Sequence, residues 1–293
     1  MTHRAAEGPR GPQRGRHSFV EVADRVFVLR YPVLDVNISL VVGDGEALLV
    51  DTLSTTAQAM ELAAAARAVT PYPWTIVNTH HHFDHCFGNA TLADADRPVW
   101  AHEATIALLR EQGDRLRRRW YDEWVTTEPD LAQGLAETPI LPPNRTVRRH
   151  TALTVGGREV SLWHLGRGHT AGDLVVQVPD AAVVVAGDLV EQGAPPSFED
   201  SYPLEWPETL AALLRLAPDP AVIVPGHGAV VGREFVTGQH AELTALEWLI
   251  RDGHADEATA EAVAAVAAAR TSLGADAARK AVRRGYAELG GLA

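Results

Sequence analysis

A chain that sets His80, His82, Asp84 and His85 directly after the β-branched run Trp74-Thr75-Ile76-Val77-Asn78 must end a buried strand in a loop crowded with metal-binding side chains. Residues two apart in extended chain project to the same side. That spacing brings His80, His82 and Asp84 together and points His81 away. His85 breaks the alternation and joins only if the backbone turns after Asp84, which Cys86-Phe87-Gly88-Asn89 permits as a helix start. Imidazole nitrogen and carboxylate oxygen suit zinc, and also iron or manganese.

Three later segments supply partners in order. Gly168-His169-Thr170-Ala171-Gly172-Asp173 places a histidine in a glycine-flanked loop before a strand at 174–178. Val183-Val184-Val185-Ala186-Gly187-Asp188 is an apolar strand ending in an aspartate, and Val222-Ile223-Val224-Pro225-Gly226-His227 is another ending in a histidine. The full series His80-x-His82-x-Asp84-His85, His169, Asp188 and His227 resembles the ligand set of the metallo-β-lactamase superfamily, with matching order and strand-then-ligand context over roughly residues 19–232. The resemblance implies an α/β fold, a four-layered αβ/βα sandwich of two mixed sheets back to back with helices outside and the metals at one edge. By the same resemblance His80, His82 and His169 bind a first ion, Asp84, His85 and His227 a second, and Asp188 bridges them. Asp51, closing the strand Ala47-Leu48-Leu49-Val50, matches the family's other strand-end aspartate and is expected to orient the ligand loop from behind.

At 293 residues, 46% apolar and 22% charged, the chain is long enough for one large two-sheet domain with an appendage. We divide it into a tail over 1–17, a catalytic domain over 18–232 and a helical C-terminal extension over 233–293. The tail carries Arg4, Arg10, Arg14 and Arg16 among Gly and Pro, without an apolar core for a signal peptide, and reads as disordered. A net charge of −12 argues against a nucleic-acid surface, and the longest apolar runs fall short of the ~20 residues of a membrane span. Cys86 is the only cysteine, so no intrachain disulfide forms, and it reads as a small buried hydrophobe in a ligand set already full. These features predict a cytoplasmic enzyme acting on a small molecule.

Further along the chain, Asn37 to Val42 and Ala47 to Val50 around Gly43-Asp44-Gly45 predict a hairpin, and Thr56 to Val69 a helix. The connection over 31–35 overhangs the metal edge by analogy with the family. Leu109, Leu116, Trp120 and Trp124 stripe one face of a helix from His102 to Trp124, opposite a solvated Arg117-Arg118-Arg119. Residues 127–144, rich in Pro and Glu, read as a loop insertion. Beyond Gly232 a helix ends at Gly253, and two alanine-rich helices follow, split near Gly274. Those helices bury little area per residue and so must pack on the main domain or make a homodimer contact.

Two divalent ions sharing a water lower its pKa enough to give hydroxide near neutral pH, and one of them polarises the bond to be cleaved. Asp84 is the residue expected to hold the attacking water and accept its proton. The resemblance admits several substrates. Class-typical β-lactamases of the family lack an aspartate where Asp188 stands, which leaves thioesterases, lactonases and nucleases; the lactonases would place a tyrosine where Glu191 is. The expected reaction is attack of a metal-bridging hydroxide on an ester-like carbonyl, in a thioester, lactone or ester. The alternatives are a β-lactamase-like amide hydrolase, a phosphodiesterase, or a mononuclear iron oxidoreductase of the persulfide dioxygenase type. Tyr31, Tyr202 and Trp206, in segments overhanging the groove, are the expected substrate contacts, whereas the stripe assigns Trp120 and Trp124 to packing.

Overall fold

The computed structural model describes residues 17–290. All of the expected tail except His17 lies outside them. The strands are β1 (Val20–Ala23), β2 (Val26–Tyr31), β3 (Val36–Val42), β4 (Ala47–Val50), β5 (Trp74–Val77), β6 (Val99–His102), β7 (Arg145–Val147), β8 (His150–Val155), β9 (Arg158–Trp163), β10 (Val175–Val178), β11 (Val183–Glu191) and β12 (Val222–His227). The helices are α1 (Thr56–Val69), α2 (Phe83–Cys86), α3 (Asn89–Leu92), α4 (Glu103–Trp124), α5 (Pro129–Glu137), α6 (Trp206–Leu216), α7 (Arg233–Ala255), α8 (Ala260–Arg270) and α9 (Gly274–Leu289).

Strand sequences that are apolar at every position need cover on both faces, and the packing shows how they get it. In β4, Ala47 and Leu49 join a cluster with Ala59, Leu62 and Ala66 of α1, while Leu48 and Val50 turn to the opposite face. In β11, Val184 and Ala186 face Leu210 and Leu213 of α6, while Val183 and Val185 face inward. The inward sets meet in one cluster, Val26, Leu48, Val50 and Val77 against Val160, Leu162, Val176, Val185 and Val224. The layers are therefore helix, strand, strand, helix, as the resemblance implied. The two expected sheets are two wings of one hydrogen-bonded path, β7-β6-β5-β4-β3-β12-β11-β10-β9-β8, with β2 beside β3 and β1 beside β2. Between the wings β3 and β12 pair at a single position, Val36 with His227, which puts one of the expected ligands at the junction.

Two expectations about helices are corrected. The segment 127–144 holds α5, whose Leu131 and Leu135 pack on Leu109, Leu116 and Trp120 of α4; its proline starts a helix at the first turn, where no N–H is needed. Gly253 does not end a helix, since α7 continues to Ala255. A Cβ at 253 would lie 2.3 Å from Val263 Cγ2, so the glycine lets α8 approach. Helices α7–α9 pack on the main body: Leu243, Leu246, Ile250, Ala278 and Val282 share a core with Leu189, Leu204 and Leu210. No helix among the described residues is long and apolar enough to cross a membrane.

Candidate metal centre

The loop that carries the candidate ligands is braced from its start, where β5 delivers the chain to Thr79. The backbone amide and hydroxyl of Thr79 donate to the two Asp51 oxygens, each at 2.7 Å. Asp51 holds a left-handed conformation at φ 69°, unusual for a residue with a Cβ. Its second oxygen also meets His85 Nδ1 at 2.8 Å, so one carboxylate fixes both ends of the ligand loop. The turn that admits His85 comes earlier than expected. His82 already stands at the N-cap of α2, and the chain has bent at 79–81 before reaching it. For the same reason His81 is not turned away: its Nε2 lies 2.9 Å from Asp200.

Three groups of side chains that could hold an ion converge here: His80, His82, His169 and Asp188 in one, Asp84, His85 and His227 in a second, and His81, His82 and Asp200 in a third at the rim. Asp188 faces the first two, with its oxygens 3.6 Å from His80 Nε2, 3.7 Å from His169 Nε2 and 3.2 Å from the Nε2 atoms of His85 and His227. Asp84 Oδ2 lies 3.7 Å from His85 Nε2 and 3.5 Å from His227 Nε2. The approach of β12 to Asp188 requires Gly226, because a Cβ there would fall 1.7 Å from Asp188 Oδ1.

The donor set suits divalent ions. His80 Nε2 and both ring nitrogens of His169 are buried without a hydrogen-bond partner, an arrangement that is costly unless a ligand takes the lone pairs. The Nε2 atoms of His85 and His227 sit 3.3 Å apart, pointing at each other. Burial works against ionising Asp188, yet the surrounding imidazoles of His85, His227, His80 and His169 hold its carboxyl well below the usual range. Burial, with Asp188 nearby, pushes Glu191 up to about 8.

Beside these groups opens a cavity of about 570 Å³, lined by Leu34, Phe83, Trp120 and Trp124 on its apolar side and by Asp35, Glu123, Glu191 and Glu199 on its acidic side. The connection over 31–35 thus overhangs the site as expected, and the Leu34 carbonyl meets His227 Nδ1 at 2.7 Å. The three expected substrate contacts lie elsewhere. Tyr31 is buried with its hydroxyl on Glu61 at 3.0 Å. Tyr202 stacks under the Arg167 guanidinium at 4.1 Å. Trp206 is fully buried, its indole N–H donating to the Leu189 carbonyl, because Pro207 starts a helix at that point and carries the ring into the core. Trp120 and Trp124 take the cavity wall instead, since the end of their stripe runs past the core to the ligand loop.

Several contributors carried no signal in the chain. Asn78 and Thr52 donate to the His85 carbonyl, at 3.2 Å each, and Asn89 braces Asn78 at 2.7 Å. Asp173 accepts from the Thr170 amide and hydroxyl at 2.8 and 2.6 Å, shaping the His169 loop. Cys86 is buried and donates to the His81 carbonyl at 3.2 Å, away from the ligand groups.

A model of the metallo-beta-lactamase superfamily matches residues 31–227. A metallo-beta-lactamase type 2 of Bacillus cereus is 24% identical over 161 residues, 54% of this chain and 53% of that protein, so the chain spans about half the length of that relative. An acyl-coenzyme A thioesterase MBLAC2 of Gallus gallus is 25% identical over 213 residues, 68% of this chain and 74% of that protein. Among solved structures, a double mutant of the sec-alkyl sulfatase PisA1 superposes with a TM-score of 0.76 at 19% identity, covering 93% of this chain and 50% of that one.

Proposed function

The chain belongs to the metallo-beta-lactamase superfamily, and from that premise we propose that it is a hydrolase with two divalent metal ions, zinc in the first instance, that cleaves an ester-like carbonyl in a thioester, lactone or ester. The observation that carries this reading is the convergence of imidazoles on Asp188, with His80 Nε2 and His169 Nε2 buried beside it and unpartnered. His80, His82 and His169 would hold one ion and Asp84, His85 and His227 the other, with Asp188 reaching both. When bound, the ions would polarise the substrate carbonyl and bring the pKa of a shared water toward neutrality.

The chain's own groups do the rest. Asp84 lines the cavity and stands ready to receive the proton that the water loses. Asp51 holds His85 Nδ1, and the Leu34 carbonyl holds His227 Nδ1, so each imidazole keeps its Nε2 lone pair toward the centre. Phe83, Trp120 and Trp124 offer an apolar wall for an acyl portion. Asp35 and Glu199 are neutralised by Arg30 and Lys280, and among the described residues no arginine or lysine lines the cavity to hold a phosphodiester backbone, which supports carbonyl over phosphoryl substrates. The thioesterase relative supports the same reaction class.

Zinc-loaded protein should be screened against aryl esters, acyl thioesters, lactones, a chromogenic cephalosporin and a phosphodiester. Turnover of an apolar ester or thioester, abolished by chelation and restored by zinc, is expected. Cleavage of the phosphodiester alone, falling steeply with salt, would overturn the reading.

A further inference from the structure

The segment between β11 and α6 carries a carboxylate that none of the steps above uses. Asp200 Oδ1 lies 3.0 Å from His82 Nε2, and its Oδ2 lies 2.9 Å from His81 Nε2. One carboxylate therefore spans two successive buried imidazoles of the ligand loop. A histidine that gives one ring nitrogen to a cation keeps its proton on the other, and an acceptor at that other nitrogen fixes both the tautomer and the ring plane. With Nε2 engaged by Asp200, Nδ1 is the nitrogen left for His82 to turn toward His80 and His169.

The backbone around Asp200 is held from two sides. Toward the site, the Tyr202 amide donates to the Gly168 carbonyl at 2.7 Å, next to His169. From the C-terminal extension, three side chains of α9 grip the same segment: Lys280 Nζ meets Glu199 at 2.5 Å, Arg284 Nε donates to the Ser201 carbonyl at 2.9 Å, and the Leu204 amide donates to Glu288 at 3.3 Å. Lys280, Arg284 and Glu288 recur every four residues and so lie along one face of α9. The only lysine of the chain is part of this row. Gly285 keeps the contact close, since a Cβ there would stand 3.4 Å from Leu204 Cδ2 and 2.7 Å from Ile250 Cγ2.

We propose that Asp200 is a positioning residue for the His80, His82 and His169 metal site, and that the Lys280, Arg284 and Glu288 face of α9 holds it in place. The C-terminal extension thereby acts on a metal ligand through one intermediate carboxylate. This inference rests on the two-ion reading and deepens it.

The test is cobalt titration of metal-free protein, following the d–d absorption and competing with a chelator, for the parent, Asp200→Asn and Arg284→Met. The parent should take up two equivalents. In Asp200→Asn one of them should bind ~10–100-fold more weakly with an altered spectrum, the loss typical of removing a partner of a ligating histidine, while the other is unchanged. Arg284→Met, which leaves the loop intact, should weaken the same ion by a smaller factor. Nitrogen-15 shifts of the metal-free protein should show His82 as the Nε2–H tautomer in the parent and a mixture in Asp200→Asn. Unchanged affinities and spectra in both variants overturn the proposal. A third equivalent in the parent that disappears in Asp200→Asn also overturns it, because Asp200 would then be a ligand itself. If the parent takes up fewer than two equivalents, the two-ion reading fails, and Asp200 is judged by whether the affinity of the remaining ion drops in its variant. Should Asp200→Asn not fold, the Arg284→Met titration decides.

Discussion

His85 and His227 each hand their second ring nitrogen to an acceptor, Asp51 at 2.8 Å and the Leu34 carbonyl at 2.7 Å, whereas His169 has no hydrogen-bond partner at either nitrogen. The group of Asp84, His85 and His227 is thus aimed by hydrogen bonds, and it lies at the open edge, where the His227 side chain keeps 18% of its surface. In the group of His80, His82 and His169, His80 Nδ1 meets the Thr79 hydroxyl and His82 Nε2 meets Asp200, each at 3.0 Å, and it is His169 that is aimed by packing. His169 is wedged against the Trp206 ring at 5.8 Å, and its loop passes that ring at Gly168, where a Cβ would come within 3.0 Å of the indole. The difference teaches that an imidazole can be oriented by a dry, close-packed wall as well as by an acceptor, and that the two kinds of support should fail in different ways.

The largest effect is expected from His169→Ala. No neighbouring side chain replaces it, so one ion should be lost and turnover should fall by more than the ~10–100-fold that follows removal of an outer partner. Metal content by mass spectrometry, measured beside activity, checks this; full occupancy with normal turnover would remove His169 from the site. Trp206→Ala comes next and separates packing from substrate contact. As a fully buried ring it should cost ~3–5 kcal/mol of stability, read from urea unfolding, with little change in KM for the folded fraction. A raised KM at unchanged stability would return the ring to the pocket. The smallest effect should come from Asp51→Asn, which keeps the shape of the wall but removes the charge facing His85. The ion of the His85 group, which Asp51 touches directly, should bind ~10–100-fold more weakly, and the ion of the His169 group, reached only through Thr79 and His80, by a smaller factor; equal weakening of both would erase the contrast between them.

The metal cluster was legible because its logic is local. Strand-end residues such as Asp188 and His227 follow apolar runs that need cover on both faces, and such runs are visible as unbroken β-branched sequence. The aromatic assignments failed because they depend on direction. Whether Trp206 points to the groove or into the core turns on where α6 begins, and Pro207 is its first-turn proline. His81 failed for a related reason, since the alternation rule holds only while the chain stays extended, and extension stops before α2. The α5 segment reads as loop by composition, and its helix is paid for by the apolar face of α4.

What the sequence alone determined is the order of the candidate ligands and the layered fold, because hydrophobic period and residue chemistry are carried by neighbours in the chain. Only the tertiary structure decided which side chains stand behind them. Asp200 reaches His82 across more than a hundred residues of chain, and Lys280, Arg284 and Glu288 reach its loop from α9. Contacts of that range leave no periodic trace, since they arise when separately folded elements bring their edges together, and the row on α9 reads in sequence as an ordinary charged helix face.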